Sequence, residues 1–145
     1  MQLNDEVMGR LIEQNPDAMI FADTEGRILV WNEAAERVFG FTKEQAIGES
    51  LDIIIPEKLR EPHWRGYDEA IKNAGTKYWG QSMPTKAIHS EGSMIYVELG
   101  FSIVLDDDGK VIGVLSSGRD ITERFQKEKE NKKRLAELEK AQKEG

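Results

Sequence analysis

Two apolar runs joined by an acidic turn, residues 93–105 and 110–119, constrain the fold of this chain most. In the first run Ile95, Val97, Leu99, Phe101 and Ile103 recur at every second position, the period of a strand with one buried face. Asp106, Asp107, Asp108 and Gly109 then supply the short polar side chains and the glycine that a tight reversal needs. The pair predicts a long antiparallel hairpin, and acids before a glycine are ordinary turn chemistry before they are a cation site. Arg119, Asp120, Ile121 and Thr122 follow at once, and from residue 123 onward lysine and glutamate dominate. Asp120 is placed to accept from the first N–H groups of a helix there, with Thr122 assisting. A sheet that passes directly into an exposed helix can carry a change in the sheet outward along that helix.

The upstream sequence predicts what the hairpin packs against. Residues 3–14 read as a short amphipathic helix with Val7, Leu11 and Ile12 on one side, stopped by Asn15 and Pro16. Residues 18–23 are an apolar strand, 23–26 a turn and 27–31 a returning strand. Asn32 can cap the next helix, with Ala35, Val38 and Phe39 inward and Gly40 at its end. Thr42 can cap another, with Gln45 at the capping-box position and Gly48 closing it. Residues 51–55 form a short buried element before Pro56. In the following stretch Leu59, His63, Tyr67 and Ile71 recur at every fourth residue and share a helix face. Pro62 suits a first helical position, so a turn is predicted over residues 56–61 and the main helix over 62–74, capped by Gly75. Residues 77–89 read as a strand interrupted at Pro84. The sum is an α+β fold: a five-stranded antiparallel sheet with short helices on one face. Residues 1–14 form a flanking helix, 15–122 the domain and 123–145 a C-terminal helix. In that last helix Ile121, Phe125, Leu135 and Leu138 hint at a heptad seam interrupted by Glu128 and Lys132. A solvated single helix and a weak parallel coiled coil both fit.

Composition excludes several functions. A length of 145 residues suits one domain with an extension. The net charge of −7 argues against a nucleic-acid partner, whose electrostatic footprint is basic. No apolar run approaches the roughly 20 residues of a membrane span, and no secretory signal is visible, so the expected address is the cytoplasm. The chain has no cysteine, which removes disulfides, thiolate metal sites, cysteine nucleophiles and a flavin–cysteine photoadduct. The acid pairs Asp5/Glu6 and Glu33/Glu36 are helix-surface charges. No nucleophile, base and orienting group cluster in the pattern of an active site, so the domain is not read as an enzyme.

The order of elements and several local motifs resemble the PAS domain family. Asn15 to Met19 with Asp23-Thr24-Glu25-Gly26 resembles its opening hairpin, and Trp31 to Glu36 its next helix. His89-Ser90-Glu91-Gly92-Ser93 resembles its basic–polar–acidic–Gly–Ser turn, and Gly118-Arg119-Asp120-Ile121-Thr122 its closing motif. The resemblance spans residues 11–122. It implies a sheet curved around a ligand or signal-receiving pocket, and dimerisation through the flanking helices. It also implies relay through Arg119, Asp120, Ile121 and Thr122 to a covalently linked output domain, such as a histidine kinase or a cyclase or phosphodiesterase.

Residues 55–63, from Ile55 and Pro56 to Pro62 and His63, resemble the segment that delivers the axial histidine in heme-binding PAS domains. Counted forward from Pro56 the ligand position is His63; counted back from Gly75 it is Trp64. A neutral imidazole on an apolar helix face is a good iron ligand. The resemblance therefore implies heme b held by His63. Trp64, Tyr67 and Ile71 come from the helix, Trp79, Gln81 and Met83 from the following strand, and Val97, Leu99, Phe101 and Leu115 from the hairpin. Met83 falls where related heme sensors place a polar residue over bound oxygen; its thioether donates no hydrogen bond but can ligate iron. A gas or redox sensor follows from that set. The alternatives are a noncovalent flavin such as FAD, a fatty acid or another small ligand, and a ligand-free dimerisation module. His63 as a packing residue, His89 as a solvated turn residue and Trp31, Trp64 and Trp79 as core aromatics are the structural readings that compete with it.

Overall fold

The computed structural model describes residues 1–75 and 83–144. Five strands form one antiparallel sheet: β1 (Ala18–Asp23), β2 (Ile28–Trp31), β3 (Met83–Ile88), β4 (Met94–Leu105) and β5 (Val111–Asp120), in the order β2-β1-β5-β4-β3. Helices α2 (Glu33–Phe39), α3 (Lys43–Ala46), a 3₁₀ turn (Leu51–Ile54) and α4 (Glu57–Asn73) fall between β2 and β3. Helices α1 (Asp5–Glu13) and α5 (Thr122–Glu144) flank the domain. Among the described residues no helix is long and apolar enough to cross a membrane.

One turn chemistry serves three strand connections. Asp23 Oδ1 accepts from the N–H groups of Glu25 and Arg27, and Asp106 Oδ1 accepts from those of Asp108 and Lys110. His89 takes the same role between β3 and β4, with Nδ1 accepting from Glu91 N–H. Each turn ends on a glycine, Gly26, Gly109 or Gly92, with φ between 81° and 90°, the left-handed region that side chains disfavour. Asp106 thus spends Oδ1 on its own backbone, and His89 is a turn residue.

The inner face of the sheet carries the core. Ile20 and Ala22 of β1, Ile95, Val97, Leu99 and Ile103 of β4 and Val114 of β5 are buried against Trp31, Phe39, Leu51, Ile54 and Tyr67. Asn32 is the one polar residue buried with them among the described residues. Its side chain accepts from Met19 N–H and Ala35 N–H and donates to the carbonyls of Ile12 and Asp17, so every capacity of the amide is used. The predicted cap of α2 is therefore also the bolt that fastens α1 and β1. The Thr42/Gln45 capping box forms as predicted.

Three expectations need correction. Helix α4 begins at Glu57 and runs through Pro62, rather than beginning there. Proline deletes one interior N–H bond, but Leu59 N–H donates to Pro56 carbonyl, and Arg60 Nε and Nη2 donate to the carbonyls of Ile55 and Asp52, so the first turn is held from outside. At the other end Ala74, not Gly75, takes the left-handed conformation, while Gly75 N–H donates back to Ala70 carbonyl. In α1, Val7 and Ile12 are half-buried, but Leu11 is exposed together with Leu3 and Met8. The predicted strand over residues 77–89 is described from Met83. It lies at the sheet edge, where Pro84 removes no interior ladder bond.

Candidate functional site

Between α4 and the inner face of the hairpin lies a cavity of about 510 Å³, within the size range of small-molecule and cofactor sites. Pro62, His63, Gly66, Tyr67, Ala70 and Asn73 line it from the helix, and Phe101, Ile103 and Val114 from β4 and β5, with Glu69, Gly75 and Thr85 completing it. The space exists because α4 presents Gly66 and Ala70 where larger side chains would close it. A Cβ added at Gly66 would meet no atom within 4 Å.

His63, Tyr67, Glu69 and Asn73 bring polar groups to the helix wall. The Tyr67 hydroxyl donates to the Asp23 carbonyl at 2.5 Å, and burial together with the nearby Asp23 and Asp68 carboxylates pushes its pKa up. His63 is different. Its Nδ1 is buried and has no hydrogen-bond partner among the described residues. Burial lowers its pKa from 6.5, partly opposed by the Asp52 carboxylate, so the ring is neutral at pH 7.

The structure separates the residues expected to act together. His63, Tyr67 and Phe101 line the cavity; Val97 and Leu99 face the same side of the sheet but are consumed in the core. Ile71 packs against the core without lining the cavity. Trp64 turns away from it: its indole N–H donates to Asp52 Oδ1 at 2.7 Å, and its ring covers Gly26. Met83 pairs with Leu99 at the sheet edge and is 37% exposed, outside the cavity lining. Trp79 and Gln81 lie outside the described residues. Leu115 lies on the opposite face. A β-bulge between Val104 and Leu105 shifts the register, so Val114, not Leu115, stands beside the inward Ile103.

Gly66, Ala70 and Asn73 were absent from the expected set because stepping by four residues turns 400°, and the stripe drifts by about 40° per step. The combined spacing of three and four, from His63 to Gly66, Tyr67, Ala70 and Asn73, follows the true face and was present in the sequence.

At the outgoing joint, Ile121 N–H donates to Tyr96 carbonyl, Thr122 Oγ1 accepts from Tyr96 N–H, and Thr122 N–H donates to Asp120 Oδ1. Phe125 stacks on Tyr96 with ring centroids 4.1 Å apart, and Arg124 pairs with Glu98 at 2.7 Å. Arg119 pairs with Asp17 at 3.0 Å across the sheet.

Comparison with known proteins agrees with this architecture. The chain is 27% identical over 100 residues to the oxygen sensor protein DosP of Escherichia coli, covering 69% of this chain and 12% of that protein. It is 46% identical over 48 residues to the sensor protein FixL of Bradyrhizobium diazoefficiens, covering 33% of this chain and 10% of that one. The crystal structure of a PAS domain from Colwellia psychrerythraea superposes with a TM-score of 0.71 at 24% identity, covering 81% of this chain and 97% of that one. The chain thus spans about a tenth of the length of these two sensor proteins. Residues 16–123 match the PAS domain as a family, an N-terminal helix precedes them and a C-terminal helix follows, and this chain belongs to the PAS domain family.

Proposed function

We propose that this sensory domain binds heme b through His63 and reports gas binding or redox state to an output domain carried on α5. The observation that carries the reading is the neutral, buried imidazole in the wall of a cofactor-sized cavity, whose Nδ1 has no partner among the described residues. Buried polar atoms are normally satisfied, and one that is not asks for a ligand, an ion or a water. A neutral imidazole in an apolar cleft is the donor that heme iron accepts. Bound there, heme would supply an iron centre able to take a diatomic gas or change oxidation state. The chain's own residues do the rest: His63 holds the ligand, Phe101, Ile103 and Val114 exclude water, and Gly66 and Ala70 leave room for a flat ring. The similarity to an oxygen sensor and to a second sensor protein supports the same reading.

Strand β4 connects this site to the exit. Phe101, with Leu99 and Val97, faces the cavity side, while Tyr96 and Glu98, one residue out of phase, hold Phe125 and Arg124 of α5. A displacement of β4 by the ligand therefore moves the socket of α5. The domain acts as a cytoplasmic homodimer through α1 and α5, with residues 15–122 as the sensing unit. To switch, the ligand must favour one α5 arrangement by on the order of a few kcal/mol.

Hemin titration tests the reading. The expected result is a Soret band with one equivalent of hemin, abolished in His63→Ala. A wild-type protein that takes up no hemin, or a His63→Ala protein with an unchanged spectrum, overturns it. A yellow protein with a flavin spectrum, or co-purified fatty acid, would instead identify the apolar cavity as the site of that ligand.

A further inference from the structure

An imidazole that ligates a metal is usually oriented by a hydrogen bond. Among the described residues the buried Nδ1 of His63 makes none, so no hydrogen bond at that atom orients the ring. The torsion that sets the plane of a histidine ring is broad and two-fold, so backbone and rotamer preference leave that plane undetermined. Packing must fix it.

The packing consists of two aromatic rings, each tethered at its polar end. Trp64 meets the imidazole edge-on, with centroids 4.7 Å apart and planes at 80°. Tyr67 lies 5.7 Å away at 36°, and the two aromatics meet each other at 5.2 Å and 71°. Tyr67 is anchored on Asp23 by its hydroxyl. Trp64 is anchored on Asp52 by its indole N–H, and its outer edge rests on Gly26, where a Cβ would overlap the ring. Asp52 is itself held in the 3₁₀ turn: its N–H donates to Ser50 Oγ, its carbonyl accepts from Arg60 Nη2, and its carboxylate stands 3.9 Å from Arg60 Nε.

We propose that Asp52 is a positioning residue: acting through the Trp64 indole, it fixes the plane of the His63 imidazole in the cavity wall. What the fixed ring is for rests on the heme reading above; that it is fixed by Asp52 does not. The carboxylate touches neither His63 nor the cavity lining, yet it determines where the Trp64 ring stands, and the Trp64 ring determines which way the imidazole edge points. An aromatic clamp replaces the missing hydrogen bond.

Three variants separate this from a merely structural role. Asp52→Asn keeps an acceptor oxygen for the indole, Asp52→Ala removes it, and Trp64→Phe keeps an aromatic ring but removes the donor. In the ligand-free protein, nuclear Overhauser contacts between the ring protons of residue 64 and His63 report the clamp directly. The expected result is the wild-type pattern in Asp52→Asn and its loss or averaging in Asp52→Ala and Trp64→Phe, with thermal melts showing that each variant is folded. With hemin, Asp52→Ala and Trp64→Phe are expected to bind about tenfold more weakly, the usual size of an orienting effect on a metal ligand, with a heterogeneous ferric EPR signal; Asp52→Asn restores both. Unchanged ring contacts in folded Asp52→Ala and Trp64→Phe overturn the proposal. If wild-type protein takes up no hemin, the heme reading falls, and the ring contacts of the ligand-free variants still decide the positioning. Should Asp52→Ala fail to fold, Trp64→Phe carries the same decision.

Discussion

At the scale of single residues, His63 stores a pH dependence. Its pKa is lowered in the folded domain by burial, with the Asp52 carboxylate opposing, so the native state holds the ring neutral while the unfolded chain protonates it near 6.5. Below that pH the unfolded state binds the extra proton, and stability depends on pH with the sign of that excess. Stability is therefore expected to fall as pH drops through about 6.5 and to level off below the native pKa. Urea denaturation of wild-type and His63→Leu proteins at pH 7.5 and pH 5 checks this. The wild type should lose more stability than the variant; equal losses would show that His63 titrates alike in both states. Asn32 shows the complementary case, a buried polar residue with all partners present, and it serves the fold where His63, with one atom unpartnered among the described residues, lines the cavity.

At the scale of elements, α4 has given up helix stability for space. Gly66 has no positive φ and no atom near its missing Cβ, so neither a turn nor a close approach requires glycine there. Gly66→Ala is expected to stabilise the domain by about 0.5–1 kcal/mol, the helix-interior difference between the two residues. It should also weaken uptake of a cavity-filling ligand. Paired urea melts and hemin titrations check both; destabilisation would mean that the glycine is needed by the backbone and not by the cavity. Element by element, the reading from sequence succeeded where the signal is local. The Asn32 and Thr42 caps, the Asp23 and Asp106 turns and the alternation of β4 each depend on a few adjacent residues. It missed where a distant group repairs a local fault, as Arg60 does for the start of α4 despite Pro62, and at the bulge that moved Leu115 to the outer face.

At the scale of the whole molecule, both flanking segments leave apolar side chains exposed. Met8 and Leu11 are exposed on α1 with Leu3 just before it, and Leu135 and Leu138, each 57% exposed, on α5. Helix α5 has no buried residue, and its first turns attach it to the sheet through Phe125 and Arg124. An isolated helix of such composition is marginal in water, and pairing with its copy would supply the missing burial. Sedimentation equilibrium is expected to show a dimer for the wild type and a shift toward monomer for the double variant Leu135→Glu, Leu138→Glu. A wild-type protein that stays monomeric at every concentration would remove α5 as an interface.

Spacing and residue type within a short window were enough for the hairpins, the Asn32 and Thr42 caps and the family, but not for the cap at Gly75 or the turn expected over residues 56–61. The same window placed a histidine on the inner side of a helix. Packing between elements settled that His63 and not Trp64 lines the cavity, that Val114 and not Leu115 completes the wall, and that the Trp64 indole stands between Asp52 and the imidazole. Those outcomes depend on where separate elements meet, and one residue of register turns a helix by about 100° or a strand to its other face.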